Sequence, residues 1–302
     1  IMPLYIDEAR VRGVLHIETV IEALRAAFLA QAKGSVVNLP RNRAKLFGKS
    51  LNITAASDAV QDRYAVKIYG GGNFHIHLYD RTQGLLATME ADWLGQLRTG
   101  AANGLAAQIM ARPQSKHVAL IGAGRQAAAQ LLALEAVGLM ERVSVFSRQR
   151  EKAEEFCQRM APQLRAEWHV AERAEEAVAS ADIIVTATTS DVPVFDRSAV
   201  KPGAHINAMG ANAASRMEVD PQLVDACALL VTDDVSQARV EGGEFRALGE
   251  SFDWSRVKPL SELVAQGAPE RQADDITLYK SLGAGLEDLA AASALYDLIV
   301  VS

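Results

Sequence analysis

From His16 to Gly34 the apolar residues Ile17, Val20, Ile21, Leu24, Ala27 and Phe28 recur at spacings of three and four, and Gly34 ends the run. That period predicts an amphipathic helix with one packed face. The pattern then shortens to the alternation of half-buried strands. Leu51–Ala55, Arg63–Tyr69, His75–Asp80 and Leu85–Glu90 are candidate strands, separated by Gly and Asp turn signals. Arg98 opens an alanine-rich helix, Ala101–Ala111, that stops at Pro113.

After Pro113 the chain changes to strand, helix, strand, helix, the alternation of a parallel sheet covered on both faces. Strands are expected at His117–Ile121, Arg142–Phe146, Asp182–Ala187, His205–Met209 and Leu229–Thr232, with helices at Arg125–Val137, Glu151–Met160 and Glu172–Ser180. From Ile276 to Leu298 the spacing of Leu282, Leu286, Leu289, Ala292 and Leu295 suits one long helix returning to the first domain. The expected division is therefore residues 1–113 with 277–302 as one domain and 114–276 as the other.

A chain of 302 residues that is 49% hydrophobic can bury two moderate cores. Its net charge of −6, with no run of Lys and Arg, argues against a nucleic-acid partner and for a small one. Cys157 and Cys227, the two cysteines, are too few for a disulfide framework and read as buried free thiols of a reducing compartment. With neither a signal-peptide pattern nor 18 uninterrupted apolar residues, the expectation is a cytoplasmic protein without a membrane partner.

Gly122-Ala123-Gly124-Arg125-Gln126-Ala127 fits the dinucleotide fingerprint with Ala in its last place, between an apolar strand and a helix. Gly122 permits the tight turn and Gly124 the approach of a pyrophosphate. The N–H groups of Arg125 and Gln126 would hold the anion at the helix start, and Ala127 keeps helix and strand close. The fold class is then α/β, a Rossmann-type doubly wound parallel sheet plus a second α+β domain. At the end of the second strand, where an acidic residue would accept from the NAD ribose, the chain has Ser147 and Arg148. Arg148 either binds a 2′-phosphate, making NADP the expected cofactor with NAD as the alternative, or is a solvated charge. Thr188 and Met209 complete the candidate cofactor-binding set.

Further segments are Leu97-Arg98-Thr99-Gly100-Ala101-Ala102, Ile206-Asn207-Ala208-Met209-Gly210, and Ile276 through Tyr279, Lys280 and Ser281 to Gly283, followed by Glu287-Asp288. Together they resemble the ornithine cyclodeaminase/mu-crystallin family, in the same order over nearly the whole chain. The resemblance implies a Rossmann domain, a substrate and dimerisation domain built from the N-terminal part and the last helix, a homodimer, and chemistry on a small amino or imino acid. It also implies that Arg41, Lys67 and Arg98 hold the substrate carboxylate, with Arg43 competing for the role of Arg41. Cationic side chains, one of them at a helix start, are suited to that anion.

The sequence departs from the family where an acidic residue with acid–base duties is replaced by Asn212 in Gly210-Ala211-Asn212. An amide exchanges no proton near neutrality, which leaves Lys67 as the candidate proton donor and Asn212 as a second candidate catalytic residue. Ile53-Thr54-Ala55 replaces a Met-Pro element, and the Gly70-Gly71-Gly72-Asn73 connection is short, so the pocket is expected to be remodelled. The leading expectation is an NADP-dependent reductase of a small ketimine, acting in reverse as an amino-acid dehydrogenase. The carboxylate would be fixed so that the α-carbon faces the nicotinamide. The alternatives are an ornithine cyclodeaminase and a non-catalytic NADPH-binding protein of the mu-crystallin kind. His75 and His77 share one strand face without a third ligand, so no metal is expected. Asp233-Asp234 reads as a helix cap, Trp93 and Trp254 as packing, and Glu241-Gly242-Gly243-Glu244 as a turn without chemistry.

Overall fold

The computed structural model describes residues 2–46 and 48–301, which form two compact units, 1–102 with 283–302 and 103–282. The first unit opens with β1 (Leu4–Ile6), α1 (Glu8–Val14) and α2 (Ile17–Ala32). α2 buries Ile17, Val20, Ile21, Leu24, Ala27 and Phe28, the six positions its period singles out. Strands β2 (Val36–Leu46), β3 (Lys49–Asp58), β4 (Arg63–Gly70), β5 (Asn73–Asp80) and β6 (Gly84–Glu90) follow, and then α3 (Asp92–Met110). The sheet order is β1-β6-β5-β4-β3-β2, antiparallel except for β1 on β6.

β2 is absent from the sequence expectation because it is a bulged edge strand with mostly polar or exposed residues. Its register on β3 shifts between Leu39 and Asn42, around Pro40, which has no N–H to give the ladder. The bulge separates the two arginines of this strand. Arg41 is half-buried and donates from Nη2 to the Gly283 carbonyl at 2.9 Å, whereas Arg43 is exposed.

The second unit contains the 103–110 part of α3, then β7 (His117–Ile121), α4 (Ala127–Ala136), β8 (Arg142–Phe146), α5 (Arg150–Met160), β9 (Glu167–Val170), α6 (Ala174–Ala179), β10 (Ile183–Thr186), β11 (His205–Ala208), α7 (Pro221–Ala226), β12 (Leu229–Thr232), α8 (Val235–Glu241), α9 (Gly243–Ala247), β13 (Val257–Pro259), α10 (Leu260–Gln266) and β14 (Thr277–Lys280). The eight strands are parallel, in the order β13-β12-β14-β11-β10-β7-β8-β9. Every residue of β7, β10, β11, β12 and β14 is buried, as a sheet covered on both faces requires. Strand order reverses between β7 and β10, and the crevice at their carboxyl ends is where such folds take ligands.

Two boundaries differ from expectation. Residues 103–110 belong with the second unit rather than the first, because Gly104 lies against α4. A Cβ on Gly104 would fall 2.8 Å from that of Ala133, and Ala107 joins the same core. The single helix expected over Ile276–Leu298 is instead β14, a turn, and α11 (Gly285–Val301), moving the second boundary from 277 to 282/283. Leu278 and Tyr279 are packed on both sides between β11 and β12, and Gly283 at φ +81 breaks the run. Such a doubly buried strand has no alternation to separate it from a buried helix.

α11 completes the first unit, packing on α2, β3 and β4. Its first turn fits tightly, since a Cβ on Gly285 would lie 2.5 Å from the Ala55 carbonyl oxygen, and Asn38 caps it by accepting from Leu286 N at 3.0 Å. Cys157 and Cys227 are free and buried, and burial pushes their thiols up to about 11 and about 12. Asp234 caps α8 by accepting from Gln237 N, and Trp254 packs with Phe245 and Phe252. Gly242, in extended conformation, makes the turn between α8, which ends at Glu241, and α9, which opens at Gly243, and Glu244 forms a buried ion pair with Lys280 at 2.9 Å. Among the described residues no helix is long and apolar enough to cross a membrane, and no group of three or more His, Cys, Asp or Glu gathers as a metal site.

Candidate active site

In the first unit, Lys67 of β4, Arg98 of α3 and Arg41 of the β2 bulge converge near the start of α11. Alternation along β4 turns Lys67 to the same side as Ala65, into the core. Its Nζ lies 3.0 Å from Asp288 Oδ1, and Arg98 Nε lies 2.9 Å from the same oxygen. Arg98 Nη1 donates to Glu287 Oε2 at 2.7 Å, and Thr54 Oγ1 donates to Asp288 Oδ2 at 3.1 Å. Arg41 and Arg98 meet around Gly283, where a Cβ would sit 2.6 Å from Arg98 Nη1 and 3.3 Å from Arg41 Nη2. Three cations and two carboxylates thus gather around Gly283 and the first turn of α11.

Burial shifts these groups strongly. Loss of water lowers Lys67 to about 8; Asp288 opposes the shift, and Arg98 and Arg41 add to it. Burial works against the charge on Arg98 too, yet Asp288 and Glu287 hold it above its ordinary value. Asp288 stays below the usual carboxylate range, because Arg98 and Lys67 outweigh the burial that would raise it. The rings of Tyr69 and Phe74 stand 5.4 and 6.0 Å from Lys67 Nζ and line one flank of the ammonium.

In the second unit the fingerprint loop joins β7 to α4. Gly122 has φ +105, and a Cβ there would meet the Ala187 carbonyl oxygen at 2.5 Å, so the turn at the reversal point tolerates only glycine. A Cβ on Gly124 would meet nothing within 4 Å, and the backbone there faces open space. A groove of about 470 Å³ runs along this edge, lined by Gly122, Ala123, Gly124, Ser147, Arg148 and Thr188 of the expected residues. Arg125, Gln126 and Met209 are not among its lining residues. Lys152, Thr189, Ser190 and Val194 line it as well and were not singled out from the sequence. The side chains of Arg148 and Lys152 carry no ion pair among the described residues, unlike Arg150, which is paired with Glu154. An open glycine backbone at a helix N-terminus and two uncompensated cations fit a phosphate-bearing dinucleotide.

Asn212 is half-buried in the loop that follows β11. His75 and His77 line a separate groove on the outer face of the first unit's sheet, and His77 Nδ1 lies 3.1 Å from Thr88 Oγ1. Glu287 and Asp288 were visible in the sequence only as a motif. Their role as counter-ions depends on contacts 189 and 221 residues distant along the chain.

Fold and groove define a Rossmann-type dinucleotide-binding protein. The profile of the ornithine cyclodeaminase/mu-crystallin family matches residues 4–302, and the chain belongs to that family. The ketimine reductase mu-crystallin of Mus musculus is 31% identical over 271 residues, covering 87% of this chain and 83% of the mouse protein. Among solved structures, the Δ1-pyrroline-2-carboxylate reductase of Thermococcus litoralis in complex with NADH and L-proline superposes with a TM-score of 0.94 at 28% identity, covering 99% of this chain and 98% of that one. An archaeal alanine dehydrogenase dimer with bound NAD gives a TM-score of 0.91 at 26% identity, covering 99% of this chain and 96% of the other.

Proposed function

We propose that this chain reduces the C=N bond of a small imino acid with a nicotinamide dinucleotide, preferring NADP(H), and oxidises the corresponding amino acid in reverse. The observation that carries this reading is the convergence of Arg41, Lys67 and Arg98 near Gly283 and the start of α11. Three convergent cations suit a carboxylate, and guanidinium groups offer it paired hydrogen bonds. The likeness to reductases of cyclic imino acids supports the same class of substrate.

Gly122, Ala123 and Gly124 would hold the pyrophosphate, and Arg148 the 2′-phosphate. The reduced dinucleotide, when bound, supplies the hydride. Lys67, held near neutrality at about 8, delivers the proton to the imine nitrogen directly or through water, and the carboxylate contacts fix the α-carbon for attack. Asn212 can orient a water or an amide partner but supplies no proton.

We also propose that the protein works as a homodimer. Val37, Leu39, Ile53, Tyr64 and Ile68 are exposed on the outer face of the first unit's sheet, a surface suited to a second copy. Sedimentation at micromolar concentration tests this, and a monomer there rejects it.

The reductase reading is tested with the purified protein and NADPH or NADH. Δ1-pyrroline-2-carboxylate, its six-membered homologue, and pyruvate with ammonia or methylamine are the substrates, and absorbance of the reduced nicotinamide is followed. Turnover of one or more of these is expected. Coenzyme binding without turnover of any of them would leave a binding protein rather than an enzyme.

A further inference from the structure

Glu218 has no role in the reaction above, yet its side chain accepts five hydrogen bonds at the carboxyl edge of the second unit's sheet. It is fully buried. Its Oε1 accepts from Thr188 N at 2.6 Å and Thr188 Oγ1 at 2.7 Å. Its Oε2 accepts from Thr186 Oγ1 at 2.9 Å, Gly210 N at 2.7 Å and Ala211 N at 3.1 Å. These donors come from the ends of two neighbouring parallel strands, β10 and β11, so a single carboxylate clamps the two loops that leave them.

The backbone of Glu218 extends the clamp. Its carbonyl accepts from Val194 N at 2.9 Å, and Val194, Thr188, Thr189 and Ser190 all line the dinucleotide groove. Its own N–H donates to Glu244 Oε1 at 3.0 Å, the oxygen that also takes Lys280 Nζ at 2.9 Å, so the clamp is anchored to the middle of the sheet. Gly210 admits no side chain, because a Cβ would lie 2.1 Å from Thr188 O and 2.5 Å from Glu218 Oε1. Five donors meet the two oxygens of this one side chain, so the two loops are held to each other through a single group.

In a doubly wound sheet the adenosine ribose lies at the end of the second strand, here β8 with Ser147 and Arg148. The other mononucleotide half extends across the reversal point toward β10 and β11. Resting on the dinucleotide reading above, we propose that Glu218 is a positioning residue for the nicotinamide half. It fixes the Thr188–Ser190 segment, on the β10 side of the groove, against the Gly210–Ala211 turn.

The test uses the whole protein and two substitutions, Glu218→Gln and Thr188→Val, the second removing one hydroxyl donor while leaving the carboxylate. Binding of ADP probes the half that both coenzymes share. The emission of bound NADPH, or of NADH if that binds more tightly, probes the nicotinamide. Glu218→Gln is expected to leave ADP affinity within about twofold, while the emission change on coenzyme binding is lost and any turnover falls on the order of a hundredfold. Thr188→Val should move the same readouts by about tenfold. Equal losses for ADP and coenzyme, or normal emission in both variants, would overturn the proposal. If Glu218→Gln does not fold, Thr186→Val, which removes the hydroxyl donating to Glu218 Oε2 at 2.9 Å and lies outside the groove lining, decides in its place. Failure of the unsubstituted protein to bind ADP or either coenzyme overturns the dinucleotide reading and this inference with it.

Discussion

Lys67 Nζ and Asp288 Oδ1 lie 3.0 Å apart, both side chains almost wholly buried, and the same oxygen stands 2.9 Å from Arg98 Nε. One carboxylate therefore serves two cations, which leaves Lys67 less neutralised than an exclusive pair would and allows burial to lower it to about 8. The protonated form predominates below that pH. The reduction rate, as kcat/KM, is expected to be level on the acid side and to fall about tenfold per unit above pH 8. Lys67→Arg keeps the charge at every accessible pH and should abolish that alkaline limb in whatever activity remains. An unchanged limb in the variant would assign the titration to another group.

Arg98→Ala removes a cation from the carboxylate cluster without touching the dinucleotide groove. Turnover should fall by on the order of 2–4 kcal/mol of transition-state stabilisation, with coenzyme affinity retained. The variant should also melt earlier, since Glu287 and Asp288 lose a buried partner. Loss of coenzyme binding alongside turnover, in a folded variant, would contradict the assignment.

How much of this was legible in the sequence depended on whether the information was local. The period of α2 and the Gly122–Ala127 fingerprint are local and could be read directly. β14 could not, because a strand buried on both faces carries no alternation, and its Lys280 looks like a surface charge until Glu244 is found beside it. Glu218 was silent for a further reason, that three of its five partners are main-chain N–H groups, which every sequence possesses.

Arg148 lines the groove without an ion pair among the described residues, so its charge is free for a 2′-phosphate. NADPH is expected to bind more tightly than NADH, and Arg148→Asp to reverse the order. Fluorescence titration of both coenzymes settles it. Equal or tighter NADH binding by the unsubstituted protein rejects the preference.

Asn212 occupies the place where the family resemblance puts an acidic residue. Conversion of ornithine to proline and ammonia should be slow or undetectable, since acid–base help of this kind is worth about 10²–10⁴-fold. Asn212→Asp should raise it. Turnover of about 1 s⁻¹ or more in the unsubstituted protein would place the acid role elsewhere.

His205 is buried, with Nε2–H donating to Asn207 Oδ1 at 2.9 Å and Nδ1 lying 2.8 Å from Thr277 Oγ1. Burial lowers it from 6.5 to about 3. Between those values the unfolded chain takes up a proton that the folded chain refuses, so stability declines as pH falls through this window. The contribution is about 1.4 kcal/mol per pH unit. Urea unfolding of the protein and of His205→Gln at pH 7, 6 and 5 isolates it, since other groups titrate alike in both. Parallel pH dependences would show that His205 is not responsible.

The separation of Lys67 from Asp288 by 221 residues, and of Arg98 from Glu287 by 189, also bears on how the protein is made. A ribosome adding about 5–20 residues per second delivers the lysine roughly ten to forty seconds before its counter-ion. Through that interval the nascent β-sheet has neither the helix that covers it nor the anions its cations need. The unit at 103–282 is continuous in sequence, yet its central strand β14 is made only just before α11. Both units therefore close late in synthesis, the second with β14 and the first with α11.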